Sequence, residues 1–218
     1  YVIYNEVDTQ NWSSTDLDSP LSTQAWYGTK NGSPDNIVSL IADHRELWLM
    51  GQTSSEVWFD AGSYPFPFQP HPSGLMAVGI AAPFSAKVAG DTLLWLGASR
   101  DGAGQVYRAS GFTPEPVSTA AVSVALSGYD TVADAVADSY TDLGHTFYLL
   151  TLPRAGTTWV FDASPGQMGL ALRWTERGTW DSARNAYDAA RALFHLYVPS
   201  TAEHLVLVRN GAGLYRLD

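Results

Sequence analysis

The sequence predicts an all-β chain built as a β-propeller with little helix, and three observations carry that expectation. One unit, made of a short strand, a turn, an aromatic-rich strand, a tighter turn and a third strand, occurs four times. The aromatic-rich strands start 46, 54 and 58 residues apart, a spacing that suits blades of three or four antiparallel strands. Hydrophobic residues make up 45% of the 218 positions and aromatics 12%, too apolar for a disordered chain, yet no apolar run reaches the length of a membrane span.

The middle strands of the four units are Glu46–Met50, Thr92–Leu96, Thr146–Leu150 and His204–Val208. The third strands are Ser55–Asp60, Gln105–Arg108, Thr157–Asp162 and Leu214–Asp218. Between them lie Gly/Ser/Asn/Pro-rich turns of the hairpin kind, at Gly51–Ser54, Arg100–Gly104, Pro153–Gly156 and Asn210–Gly213. Weaker first strands are placed near Ile37–Ile41, Ser85–Ala89, Ala135–Tyr140 and Leu193–Val198, and a fourth strand in some units, for instance Leu170–Glu176. Ser118–Leu126, Thr131–Asp138 and Asp181–Ala192 carry enough alanine for a turn or two of helix, although Thr131–Asp138 also alternates as a strand would. Tyr1–Asn5 reads as the closing strand of an earlier blade. With Tyr1 rather than Met in first place, it suggests a piece of a longer protein, part of a larger propeller read here as a single domain over residues 1–218. A β-sandwich is the rival architecture, but it does not call for so long a period.

Charge and motifs narrow the chemistry. The net charge of −10, with only two lysines (Lys30 and Lys87), is a poor grip for nucleic-acid phosphates. Cysteine is absent, so disulfides and thiolate metal sites are excluded. There is no nucleophile elbow, phosphate-binding loop or HExxH pair, and no cofactor is expected. Because some propellers hydrolyse glycans with a pair of carboxyl groups, Asp43, Glu46, Glu56, Asp60, Asp91, Asp142, Asp162 and Glu176 are the candidate acids. Asp60 and Asp162 both close a third strand, which favours a turn role. The arginines show no repeated placement suited to gripping a carboxylate. The five histidines (His44, His71, His145, His195 and His204) lack metal-ligand spacing and read as turn or packing residues.

Of the eight tryptophans, Trp48, Trp58, Trp95 and Trp159 fall inside apolar strands and read as packing between blades. Trp12, Trp26, Tyr27, Trp174 and Trp180 lie outside those strands. Trp174 and Trp180 are the leading candidates for an exposed interface.

Three stretches resemble the packaged-DNA stabilisation proteins of short-tailed bacteriophages. They run from Pro34-Asp35 to Trp58, with IADHRELWLMGQTSSEVW; over Asp91–Arg108, with TLLWLG and GQVYR; and over Gly144–Asp162, GHTFYLLTLPRAGTTWVFD. Trp174-Thr-Glu-Arg177 extends the resemblance over most of residues 34–180. It implies a β-propeller that is a virion structural protein and not an enzyme. It further implies a homo-oligomeric ring in the phage tail, as hub or nozzle, next to the portal adaptor ring and a tail needle or spike. Such a ring helps to retain packaged DNA and passes it at ejection without sequence-specific binding. The rival functions are a glycan-binding module, with Trp and Tyr stacking on sugars, and a glycan-degrading, sialidase-like propeller.

Overall fold

The computed structural model describes residues 1–21, 26–99, 102–164, 173–189, 192–208 and 213–216. They form five sheets that follow one another along the chain, and every strand pair is antiparallel. The first sheet holds β1 (Ile3–Asn5), β2 (Asn11–Ser14) and β3 (Tyr27–Thr29). The second holds β4 (Ile37–Asp43), β5 (Glu46–Gly51), β6 (Ser55–Asp60) and β7 (Phe68–Met76). The third holds β8 (Gly79–Ile80), β9 (Lys87–Ala89), β10 (Thr92–Ser99), β11 (Gly102–Ser110) and β12 (Thr113–Pro116). The fourth holds β13 (Val136–Asp142), β14 (His145–Leu152), β15 (Thr157–Asp162), β16 (Trp174–Asp181) and β17 (Ala186–Ala189). The fifth holds β18 (Ala192–Val198), β19 (Glu203–Val208) and β20 (Leu214–Arg216).

The middle strands explain the architecture. Neighbouring side chains on a strand point to opposite faces, and here both faces are covered. Leu47 and Leu49 of β5 pack towards the first sheet with Trp12, while Trp48 and Met50 pack towards the third with Leu93 and Trp95. Leu94 and Leu96 of β10 turn the other way, onto Tyr148, Leu150 and Leu152 of β14. Leu149 lies on the remaining face of the fourth sheet with Tyr140 and Val160. Sheets stacked face to face in series, with the second, third and fourth buried on both faces, are propeller blades; a sandwich would leave one face of each sheet to water. Trp48, Trp95 and Tyr148 accordingly sit in three different sheets.

Two-residue turns close several of the hairpins. Asp142 pairs with His145, and between them Leu143 and Gly144 have φ of 47° and 82°. Asp43 pairs with Glu46 across His44 and Arg45, at φ of 48° and 67°. Positive φ at both central residues matches the right-handed twist of the strands and favours Asn-Gly. Leu143 gains little in return, since 93% of it is exposed. Leu143→Asn is therefore expected to stabilise the fold by about 0.5–1 kcal/mol, because Asn tolerates the left-handed conformation better. A higher urea midpoint at unchanged slope checks this; a lower midpoint would refute it.

Several sequence expectations change. β1 is not a closing strand: β2 and β3 follow it in the same sheet. The strand expected near Ser85–Ala89 forms over Lys87–Ala89 as β9, and a further short strand, β8, pairs with β10 beside it. Gly102–Gly104 belongs to β11 rather than to a turn, while Arg100 and Asp101 lie outside the described residues. The fourth strand of the fourth sheet is described only from Trp174, and Leu170–Leu172 lie outside, as do Asn210–Ala212 and Leu217–Asp218. Helix α1 (Ala120–Ser127) forms where alanine and a Thr119 cap allow it, the Thr119 hydroxyl accepting from the Val122 amide, and it lays Val122 and Leu126 over the third and fourth sheets. Thr131–Asp138 leads into β13, and the described part of Asp181–Ala192 is hairpin and strand, because pairing with neighbouring strands outweighs weak helix propensity.

Candidate functional site

The candidate acids are mostly engaged in holding turns and sheets. Asp60 accepts the Gly62 amide at 2.9 Å and Asp162 accepts the Ser164 amide at 2.9 Å, the same local bond in two sheets. The other Asp162 oxygen lies 2.7 Å from His145 Nδ1. Burial would raise the Asp162 carboxyl, but bonds from Ser164 and His145 outweigh it and hold the group below its ordinary value. Glu56 is buried in β6, where it accepts the Gly32 amide at 2.6 Å and Trp58 Nε1 at 3.1 Å. Asp43 pairs with the exposed His44 at 2.9 Å, which raises the imidazole above its ordinary value. Asp91 and Asp142 lie at hairpin turns, Glu46 opens β5, and Glu176 is exposed on β16.

Several arginines are likewise committed. Arg108 binds Glu115, and Arg184 binds Asp181 and Asp188. Arg173 donates to the Asp162 carbonyl at 2.7 Å, and Arg177 lies over the Tyr140 ring and touches its hydroxyl. Among the described residues no group of three or more His, Asp or Glu is arranged to hold a metal ion. No helix among them is long and apolar enough to cross a membrane.

Burial separates the aromatic candidates. Trp12 is fully buried, edge-on to Trp58, Phe66 and Phe68, and Gly28 packs flat on its indole: a Cβ there would fall 2.6 Å from Trp12 Nε1. Trp174, expected to be exposed, is instead 8% exposed; its Nε1 donates to the Val117 carbonyl at 2.7 Å and its ring lies against Phe161. Trp180 is half exposed and packs edge-on against Tyr187, itself exposed, on the β16–β17 hairpin. Trp26 and Tyr27 are exposed as well, and Trp26 joins Tyr1, Tyr64 and Asp16 around a notch of about 270 Å³.

Two clusters escaped the sequence. Lys30 is completely buried and binds Asp35 and, at 2.7 Å, Ser54 Oγ. In sequence it is one of two lysines, and its place beside Pro34-Asp35 is the available signal. His195 and His204 meet across the β18–β19 hairpin, a pairing that strand register supplies and spacing does not.

A family model described as bacteriophage P22 Gp10, beta-propeller, matches residues 1–202. The chain belongs to that phage stabilisation family. Its sheets are thus the blades of the P22 Gp10-type β-propeller, and it is a bacteriophage DNA-stabilisation protein, a structural component of the virion that works among other virion proteins. A search of curated proteins gave no match.

Proposed function

We propose that this P22 Gp10-type propeller is a tail hub or nozzle subunit. In this reading it forms a homo-oligomeric ring that continues the DNA channel, contacts the portal adaptor ring and a tail needle or spike, retains packaged DNA and passes it at ejection. Family membership over residues 1–202 carries the reading. Charge supports it: the net charge is −10, and three of the cations that would drag on phosphates are paired with carboxylates, Lys30 with Asp35, Lys87 with Asp138 and Arg108 with Glu115. The Trp180–Tyr187 pair on its projecting hairpin is the contact with a neighbouring subunit in this proposal.

Trp180→Ala is expected to leave the chain folded while copies per purified virion, counted by quantitative mass spectrometry, fall at least about tenfold, as for an aromatic hot spot. Virions that do form should lose packaged DNA. Normal copy number and DNA retention would refute Trp180 as a contact. Trp174→Ala should instead destabilise the isolated chain, since Trp174 lies in the core.

A glycan-binding reading is favoured by the notch at Trp26 and Tyr64, whose rings can stack on a sugar while Asp16 and Ser63 meet its hydroxyls. Quenching of tryptophan fluorescence by host surface polysaccharide, lost in Trp26→Ala, would support that reading over the channel one.

A further inference from the structure

The fifth sheet is held differently from the others. The first three gaps between sheets are filled by apolar clusters drawn from both sides. Among the described side chains, the apolar cluster in the fourth gap comes from the fourth sheet, and Val206 is the buried apolar side chain of the fifth. What joins the two sheets is a polar and aromatic group in a cleft of about 940 Å³. There His195 Nε2 lies 2.7 Å from His204 Nδ1, with the rings stacked at 4.9 Å. The Tyr140 ring of β13 lies 4.9 Å from His195 and 5.8 Å from His204, and Tyr197 lies 4.9 Å from His204.

At that separation one ring nitrogen donates and the other must accept, which requires a bare nitrogen. Two imidazolium rings would face each other N–H to N–H with like charges. We infer that the His195–His204 pair of the fifth sheet is an acid-sensitive latch: while at least one ring is neutral, their mutual bond keeps both rings packed on Tyr140 of the fourth sheet, and when both are protonated they part and that contact is released.

The surrounding charges are few. From β13, Asp138 accepts the His195 backbone amide at 2.6 Å and lies 3.4 Å from Lys87 of β9. From β16, Arg177 sits over the Tyr140 ring at 5.4 Å. Asp142 lines the cleft, and Glu203 faces Arg216 at 3.8 Å. Burial lowers His195 below its ordinary value; Asp138 opposes this, while His204, Lys87 and Arg177 add to it. A base that is harder to protonate in the closed state contributes stability above its free value of about 6.5, and that stability is lost as pH falls below it.

Opening of the fifth sheet should therefore grow by up to about tenfold per pH unit below 6.5 for each extra proton taken up. Hydrogen exchange on the whole chain between pH 7.5 and 5.0, corrected for intrinsic rates, reads this directly. Amides of β18 and β19 should lose protection at least about tenfold while those of β5 do not. His195→Gln and His204→Gln should each flatten the pH dependence. Equal losses in every sheet, or an unchanged slope in both variants, would overturn the latch. Since either Gln variant could loosen the sheet at all pH values, NMR titration of the unaltered chain gives an independent reading. The His195 ring should titrate below about 6.5; titration at or above that value would overturn the latch.

Discussion

Asp35→Ala is expected to lower the unfolding free energy by about 3–5 kcal/mol, the usual result of removing one partner of a buried ion pair. The Asp35 carboxylate binds Lys30 and Ser54 Oγ through one oxygen and accepts the Thr53 and Ser54 amides, at 2.8 and 3.0 Å, through the other. Lys30 follows β3 and its amide donates to the Gln10 carbonyl, so the cluster ties the first sheet to the β5–β6 hairpin of the second. Alanine would leave an ammonium group in a site with no water access and strand two amide donors. Lys30→Met should cost clearly less, because the carboxylate keeps its hydroxyl and amide donors. Denaturant midpoints for the two variants check the order; an Asp35→Ala chain as stable as the parent would refute this role.

Acid should act on the same cluster. Burial alone would raise the Asp35 carboxyl, but bonds from Lys30, Ser54 and the Thr53 amide outweigh it and hold the group below its ordinary range. The carboxylate therefore contributes stability that is present above the unfolded value, about 3.9, and lost as pH falls through the lower folded value. Asp35→Ala should show a shallower loss of stability below pH 4 than the parent.

Trp95→Ala is expected to cost about 3–5 kcal/mol by leaving a cavity between the second and third sheets. Trp95 is fully buried, stacks on Tyr107 with centroids 5.9 Å apart, meets Trp48 at 6.4 Å and donates from Nε1 to the Gly79 carbonyl at 3.2 Å. The Gly79 carbonyl would lose a buried donor as well. Trp95→Phe should recover most of the loss by refilling the gap. Trp159→Ala offers a comparison, since Trp159 is only partly buried at the edge of its cluster and should cost less. Equal midpoints for the Trp95 and Trp159 variants would contradict the stacking described here.

Much of the fold was legible because its signals are local. Runs such as ELWLM and TLLWL are apolar on both faces, and sheets buried on both sides require that. The third strand Ser55–Asp60 lies at the bounds its residues suggest. β8 was not legible, since Gly79–Ile80 carries no strand pattern and is a strand only because β10 offers it a pairing edge. The Lys30–Asp35–Ser54 cluster joins residues up to 24 positions apart, and a lone lysine looks the same in sequence whether buried or exposed.

Trp174 and Trp180 show where the boundary falls. Both are in β16, six residues apart, so the alternation of a strand puts them on the same face. Sequence alone determines that alternation, the hairpins and the apolar centre of each sheet, because these follow from backbone geometry and neighbouring side chains. It does not say how far the covering layer extends. β15 pairs with β16 only as far as Arg177, so Trp174 lies under the third sheet and α1, against Val117 and Phe161, while Trp180 overhangs with β17 as its strand partner. One indole is core and the other surface because burial depends on what lies opposite, and that is decided only when the sheets stack.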